Sequence, residues 1–279
     1  MNEILQIIFQ ISILTFIVSS MLSMGLNLTI TQIVQPLKNT KLVILSLITN
    51  FIIVPLLVYG IIYVIPLDEG EKIALILISV AGGAPFIPKL ADIAKANVPY
   101  SIGLMLLLMV VTIFLMPIAL PYMLEGVKVD SWGIAKSLII TMLIPLILGL
   151  GIRAFFEKTA LLIQPLFAKL TNLAMLLVIV TLVILNTNHL ILMIGYPLLA
   201  IIIFLISAMV IGYFLGGDDK KTQIVSAIGT GQRNISAALL VATQNFDNPD
   251  IVIMLVGVSI FGLFIMMPYA KKMGKVLTK

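Results

Sequence analysis

Residues 226–240 read SAIGTGQRNISAALL. Arg233 lies near the middle of this stretch, surrounded by Gly229, Thr230, Gly231, Gln232 and Asn234 and flanked by apolar runs. An arginine inside hydrocarbon is expensive unless it is paired or hydrated, and glycines and amides are poor helix formers. A helix that had only to cross a membrane would carry none of them. The stretch therefore reads as a break in a membrane helix, at a point where something is held.

The rest of the chain supplies the membrane setting. Of its 279 residues 61% are hydrophobic and 10% are charged, and the mean hydropathy is +1.21. Soluble domains run near 45–50% apolar and about 25% charged. Apolar runs of about 20 residues, long enough to cross about 30 Å of hydrocarbon, recur from end to end. Nine crossings are expected, at 4–29, 40–64, 72–96, 98–122, 133–153, 160–186, 189–215, 221–246 and 250–270. The segments between them are too short for a soluble domain, so residues 1–279 read as one all-α polytopic transmembrane domain. The first apolar stretch lacks a small-residue cleavage site and reads as a span, not a removable signal.

Several kinds of chemistry find no residues. There is no cysteine, which excludes disulfides and thiolate metal sites. The single histidine, His189, stands at a span end and cannot form a metal site alone. No Ser-His-Asp set, His-Glu-x-x-His motif or paired intramembrane carboxylate is present, so no catalytic residue is assigned and an enzyme is not expected. GGDDKK at 216–221 lacks the strand and Gly-Lys-Ser of a phosphate loop. The many methionines and phenylalanines read as packing.

The net charge of +5 is distributed by topology and does not suggest nucleic acid. Lys38, Lys41, Lys89, Lys95, Arg153, Lys158, Lys220 and Lys221 fall on one side with the tail lysines Lys271, Lys272, Lys275 and Lys279. LDEGEK (67–72), LEGVKVD (124–130) and NFDNPD (245–250) fall on the other. Positive loops stay inside, so a cell-membrane protein is expected with its N-terminus outside and its C-terminus cytoplasmic. The bilayer and a small substrate are the expected partners, with the oligomeric state open.

A second interruption lies at residues 73–98, IALILISVAGGAPFIPKLADIAKANV. Gly82, Gly83, Pro85 and Pro88 sit within seven residues, with Lys89 and Asp92 close behind. Proline removes a donor and clashes with the preceding turn, so residues 82–88 and 229–234 are expected to be non-helical and to meet. Each interrupted span precedes one containing Met-Pro, at Met116-Pro117 and Met267-Pro268. The two spans are five crossings apart and run in opposite directions. That gives inverted repeats, roughly 1–122 and 133–270, followed by a basic tail, 271–279. Paired broken helices in such repeats point to a transporter's binding site, whereas isolated glycines and prolines mark only kinks or close packing.

At these residues the chain resembles the bile acid:sodium symporter family, over most of its length. The likeness lies in MLSMGLNLTITQIVQPLKNTK (21–41), VAGGAPFIPKLADIAKANVPYS (80–101), MPIALP (116–121) and GTGQRNISAAL (229–239). The resemblance implies a core domain with crossed broken helices, a panel domain, and sodium-coupled secondary transport. The sequence departs from the family at the implied sodium ligands. Phe86 and Ile87 stand for a Ser-Asn pair, Gly229 for a glutamate, Arg233 for a glutamine, Asn50 for a glutamine on the preceding helix, and Met105 for a threonine. Ser101 and Asn234 are kept.

Glutamate and sodium are thus exchanged together for glycine and arginine, and Arg233 reads as a tethered cation. Its fork suits a carboxylate or sulfonate, and a half-helix N-terminus beside it adds positive potential. The expected function is alternating-access transport of a small organic anion, with no metal and no cofactor. The expected binding residues are Arg233, Asn234, Gln232, Thr230, Gly229, Gly231, Gly82, Gly83, Pro85, Phe86, Lys89, Asn50 and Ser101. The alternatives are a sodium symporter using backbone carbonyls, a membrane sensor or scaffold, a channel, and a structural pairing of Arg233 with Asp92.

Overall fold

The computed structural model describes residues 2–34, 38–124, 130–185 and 194–278, and these are all helix and connecting loop. His189 and the expected start of the seventh crossing lie outside the described residues. In chain order the helices are α1 (Asn2–Asn27), α2 (Ile30–Val34), α3 (Thr40–Ile48), α4 (Val54–Val64), α5 (Glu69–Ser79), α6 (Ile87–Ile93), α7 (Val98–Met123), α8 (Ser131–Leu138), α9 (Ile144–Phe155), α10 (Glu157–Leu185), α11 (Tyr196–Phe214), α12 (Lys220–Gly231), α13 (Ile235–Asn245) and α14 (Pro249–Leu277). α3 runs into α4, and α8 into α9, through single π-helical turns at Thr49–Ile53 and Ile139–Leu143.

Local sequence explains where helices begin. Asn39, Asn97, Asp130, Asp219, Asn234 and Asn248 each accept a backbone N–H of the first turn that follows. Such side chains satisfy donors that a helix start leaves unpaired. Asp68 and Glu71 do the same reciprocally as a capping box on α5.

Among the described residues seven helices are long and apolar enough to cross a membrane: α1, α3–α4, α7, α8–α9, α10, α11 and α14. The two spans expected to be interrupted are each split into short helices, α5–α6 and α12–α13. This is an all-α polytopic membrane protein, whose described residues hold seven membrane-length helices and two split pairs.

The breaks are narrower than expected. The first covers residues 80–86, and α6 already contains Ile87 and Pro88. Pro88 sits at the helix start, where its missing N–H is not needed. The second covers only residues 232–234, because Gly229, Thr230 and Gly231 remain in α12. Packing overrides propensity there: a Cβ on Gly229 would lie 2.7 Å from Leu104, and one on Gly231 2.5 Å from Met209 and Met266. α14 continues through the basic tail to Leu277. Buried Gly274 lets this last stretch lie against the backbone of Ile93 at the end of α6.

Two groups of helices result. α1, α9 and α10 pack together, and α1 meets α9 backbone to backbone at Gly25 and Gly149, where any side chain would collide. The other group contains α3–α4, α5–α6, α7, α11, α12–α13 and α14, with α5 against α13 and α6 against α12. The breaks cross inside this second group, where the Asn234 N–H donates to the Ala81 carbonyl at 2.8 Å.

Gly83 holds the first break in a left-handed backbone, φ 81°, with Met105 and Met109 where a Cβ would be. The backbone alone costs about 1–2 kcal/mol for a side chain. Gly83→Ala should therefore lower the melting temperature of the purified protein by at least about 4 °C. An unchanged melting temperature would show that the turn is not needed.

Candidate functional site

The site is organised by an arginine whose three nitrogens each donate to protein oxygens. Arg233 is only 4% exposed. Its Nε donates to the Ile78 carbonyl at 3.0 Å and its Nη2 to the Ser79 carbonyl at 2.5 Å. Its Nη1 donates to Asn50 Oδ1 at 2.6 Å and to the Thr230 carbonyl at 3.3 Å. Ile78 and Ser79 end α5, and Thr230 is in the last turn of α12. The last carbonyls of a helix have no partner within it and carry the negative end of its dipole. A guanidinium placed on two such ends makes charge-assisted hydrogen bonds and neutralises both.

Asn50 is oriented by its neighbours. Its Nδ2 donates to the Ser46 carbonyl at 3.0 Å and to Thr230 Oγ1 at 3.4 Å, leaving Oδ1 for Arg233. It lies in the π-helical turn of the second span, a local irregularity common at functional sites. Thr112 fastens the first break from α7, accepting the Gly82 N–H at 2.9 Å and approaching the Val80 and Gly82 carbonyls at 3.3 and 3.2 Å. The pairing of Arg233 with Asp92 considered from the sequence is not formed. The ion pairs among the described residues are Lys41–Asp218 and Arg153–Glu157. No cluster of three or more His, Cys, Asp or Glu side chains that could hold a metal occurs among them.

Beside this knot lies a polar cavity of about 770 Å³ between the two helix groups. Pro85, Phe86, Lys89 and Asp92 line one side, and Ile102 and Met105 of α7 continue it. The facing wall comes from Ser20, Ser23 and Asn27 of α1 and Gln164, Thr171 and Asn172 of α10. That wall is internally tied by Gln164 Nε2 donating to Ser23 Oγ at 3.1 Å and by Ser19 and Thr171 hydroxyls 2.9 Å apart.

The expected binding residues therefore separate. Pro85, Phe86 and Lys89 reach the cavity. Asn50, Gly82, Gly83, Gly229, Thr230, Gly231, Gln232, Arg233 and Asn234 form the buried crossing behind it. Ser101 is fully buried and donates to the Val98 carbonyl at 2.6 Å. Two buried polar atoms at the start of α13, Asn234 Nδ2 and Ser236 Oγ, have no hydrogen-bond partner among the described residues. The α1 and α10 wall was not anticipated from the sequence. Its signal is helical spacing: Ser20, Ser23 and Asn27 recur at i, i+3 and i+7, and Gln164, Thr171 and Asn172 at i, i+7 and i+8.

Two helices broken at facing points inside a bundle of membrane-length helices is the construction used by secondary transporters, whose substrate sites lie where the breaks meet. The chain belongs to the Sodium Bile acid symporter family, whose model matches residues 14–194. It is 27% identical over 248 residues to the probable sodium/metabolite cotransporter BASS6, chloroplastic, of Arabidopsis thaliana, a match covering 82% of this chain and 59% of that protein. It is 24% identical over 240 residues to the uncharacterized sodium-dependent transporter YocS of Bacillus subtilis (strain 168), covering 81% of this chain and 72% of the relative. The chain thus spans 56–60% of the length of the plant relatives it matches. The family and these relatives are transporters, not enzymes.

Lysine carries the same charge as arginine but has no planar fork and a single nitrogen in place of three. Arg233→Lys should leave at least two of the four oxygens unpartnered, at about 1–3 kcal/mol for each buried group. A fall of more than about 5 °C in melting temperature is expected. A melting temperature equal to that of the native protein would mean that charge alone, not the fork, holds the crossing.

Proposed function

We propose that this protein moves a small organic anion across the cell membrane by alternating access, with Arg233 in place of a bound cation. The observation that carries this reading is the oxygen set around Arg233: two helix-end carbonyls of α5, one of α12, and Asn50 Oδ1. Carbonyls and amide oxygens converging on one point are what a hard cation requires. Here a side chain takes them. A sodium ion about 4 Å from the guanidinium would be repelled by about 4 kcal/mol at an effective dielectric of about 20. The plant relative is described as a probable sodium/metabolite cotransporter and the bacterial one as an uncharacterized sodium-dependent transporter. In this chain the permanent charge supplies what sodium binding supplies in a sodium-coupled protein, so transport runs without sodium.

The anion enters the cavity between the helix groups. Lys89 is its one lysine, exposed to it and without an ion-pair partner among the described residues. Hydroxyls and amides of α1 and α10 offer hydrogen bonds from the opposite wall, and the buried guanidinium adds positive potential from behind. The group of α1, α9 and α10 serves as the frame against which the crossed helices move. The lysine-rich side is cytoplasmic, the N-terminus is outside, and the cavity opens inward because Lys89 belongs to the lysine-rich side.

A thermal-shift screen of carboxylates and sulfonates identifies the ligand, and counterflow of the labelled anion in proteoliposomes then tests transport. Lys89→Gln should cut the initial rate at least about tenfold, roughly the loss of a 1.4 kcal/mol charge-assisted contact, with melting temperature unchanged. Binding without counterflow would favour a sensor, and an unchanged rate would remove Lys89 from the path.

A further inference from the structure

On the outer face of the core group, α11 and α14 leave a groove of about 530 Å³ that the transport reading does not use. The cause lies in how each helix is pinned. A Cβ on Gly212 would lie 2.5 Å from the Ser226 carbonyl, so α11 lies directly on α12. A Cβ on Gly274 would lie 2.6 Å from the Ile93 carbonyl, so the end of α14 lies on α6. Held to different neighbours, the two helices leave space between them. Ile206, Val210 and Phe214 line it from α11, and Ile265, Met273 and Val276 from α14.

The groove has a polar half: Lys220 and Tyr213 line it at and beyond the end of α11, and Tyr269 lines it on α14 between Ile265 and Met273. Lys220 is exposed and keeps its charge free. Neighbouring Asp218 pairs with Lys41 at 3.5 Å, and Asp219 caps α12 by accepting the Thr222 N–H at 2.9 Å. Neither tyrosine hydroxyl has a hydrogen-bond partner among the described residues. At 1.5 Å per residue the lined stretch of α11 runs about 12 Å and that of α14 about 16 Å. Half of a bilayer's hydrocarbon is about 15 Å. An apolar slot shorter than one leaflet, with an unpaired ammonium and two phenols along its headgroup half, matches the upper part of a lipid tail below a phosphate.

We propose that this groove binds an anionic phospholipid, with one acyl chain along α11 and α14 and the phosphate held by Lys220 and the hydroxyls of Tyr213 and Tyr269. Tyrosines and snorkelling lysines sit naturally at the headgroup level, and basic pockets between membrane helices select acidic headgroups. The site is separate from the polar cavity and independent of what the protein carries.

The test uses the purified full chain in nanodiscs containing equal phosphatidylglycerol and phosphatidylcholine, with lipids retained after detergent extraction counted by native mass spectrometry. The native protein should retain phosphatidylglycerol in preference. Lys220→Gln should reduce that preference about fivefold, the effect of one lysine near an anionic headgroup, and Lys220→Arg should restore it. Val210→Trp, which fills the slot, should remove retention of both lipids. Equal retention of the two lipids by the native protein would overturn the proposal. So would an unchanged preference in Lys220→Gln, or a dimer that Val210→Trp dissociates in place of a bound lipid.

Discussion

A helix that stops inside a membrane leaves carbonyl groups that no water reaches, and each must find a donor or a cation. In this protein α5 and α12 both stop that way, and one guanidinium answers for both. Arg233 bonds to Ile78 and Ser79 at one end and to Thr230 at the other, while Asn50 completes the set. The rest of the core follows from that arrangement. Asn50 is turned by Ser46 and Thr230, Thr112 fastens the first break, and Asn234 ties the second break to Ala81.

The arginine changes what the crossing can respond to. A diffusible ion links the helix ends only while bound, so its concentration gradient can be coupled to movement. A tethered charge links them permanently, and the energetic role of the ion becomes part of the fold. Under the proposal that Arg233 takes the place of a bound cation, the driving force comes from the substrate gradient or from another ion elsewhere. The polar side chains of the cavity are mostly neutral hydroxyls and amides set among apolar residues, with Lys89 and Asp92 three residues apart on the short α6. Small apparent charge and many hydrogen bonds suit a substrate that enters and leaves readily.

Much of this was legible in the sequence because membrane helices announce themselves by length and apolarity. The two interruptions are legible in Gly, Pro and polar content, and Asn50 and Arg233 both stand among the expected binding residues. The extent of each break is not legible there. Pro88 reads as a helix breaker until its place at the second position of α6 is known, and Gly231 reads as a break until Met209 and Met266 are seen filling the space beside it. The α1–α10 wall escaped because its polar residues are spread through two long apolar helices, and only three-dimensional register brings Ser23 to Gln164. The partners of Arg233 escaped for a related reason: they are mainly backbone carbonyls, which every residue has and no sequence pattern marks.

The central claim is that Arg233 occupies the cation position, and sodium dependence measures it most directly. Native protein in proteoliposomes should take up its labelled anion at the same initial rate under inward gradients of sodium chloride or choline chloride at equal ionic strength and clamped membrane potential. A rate that rises steeply with the sodium gradient and vanishes in choline would contradict the account.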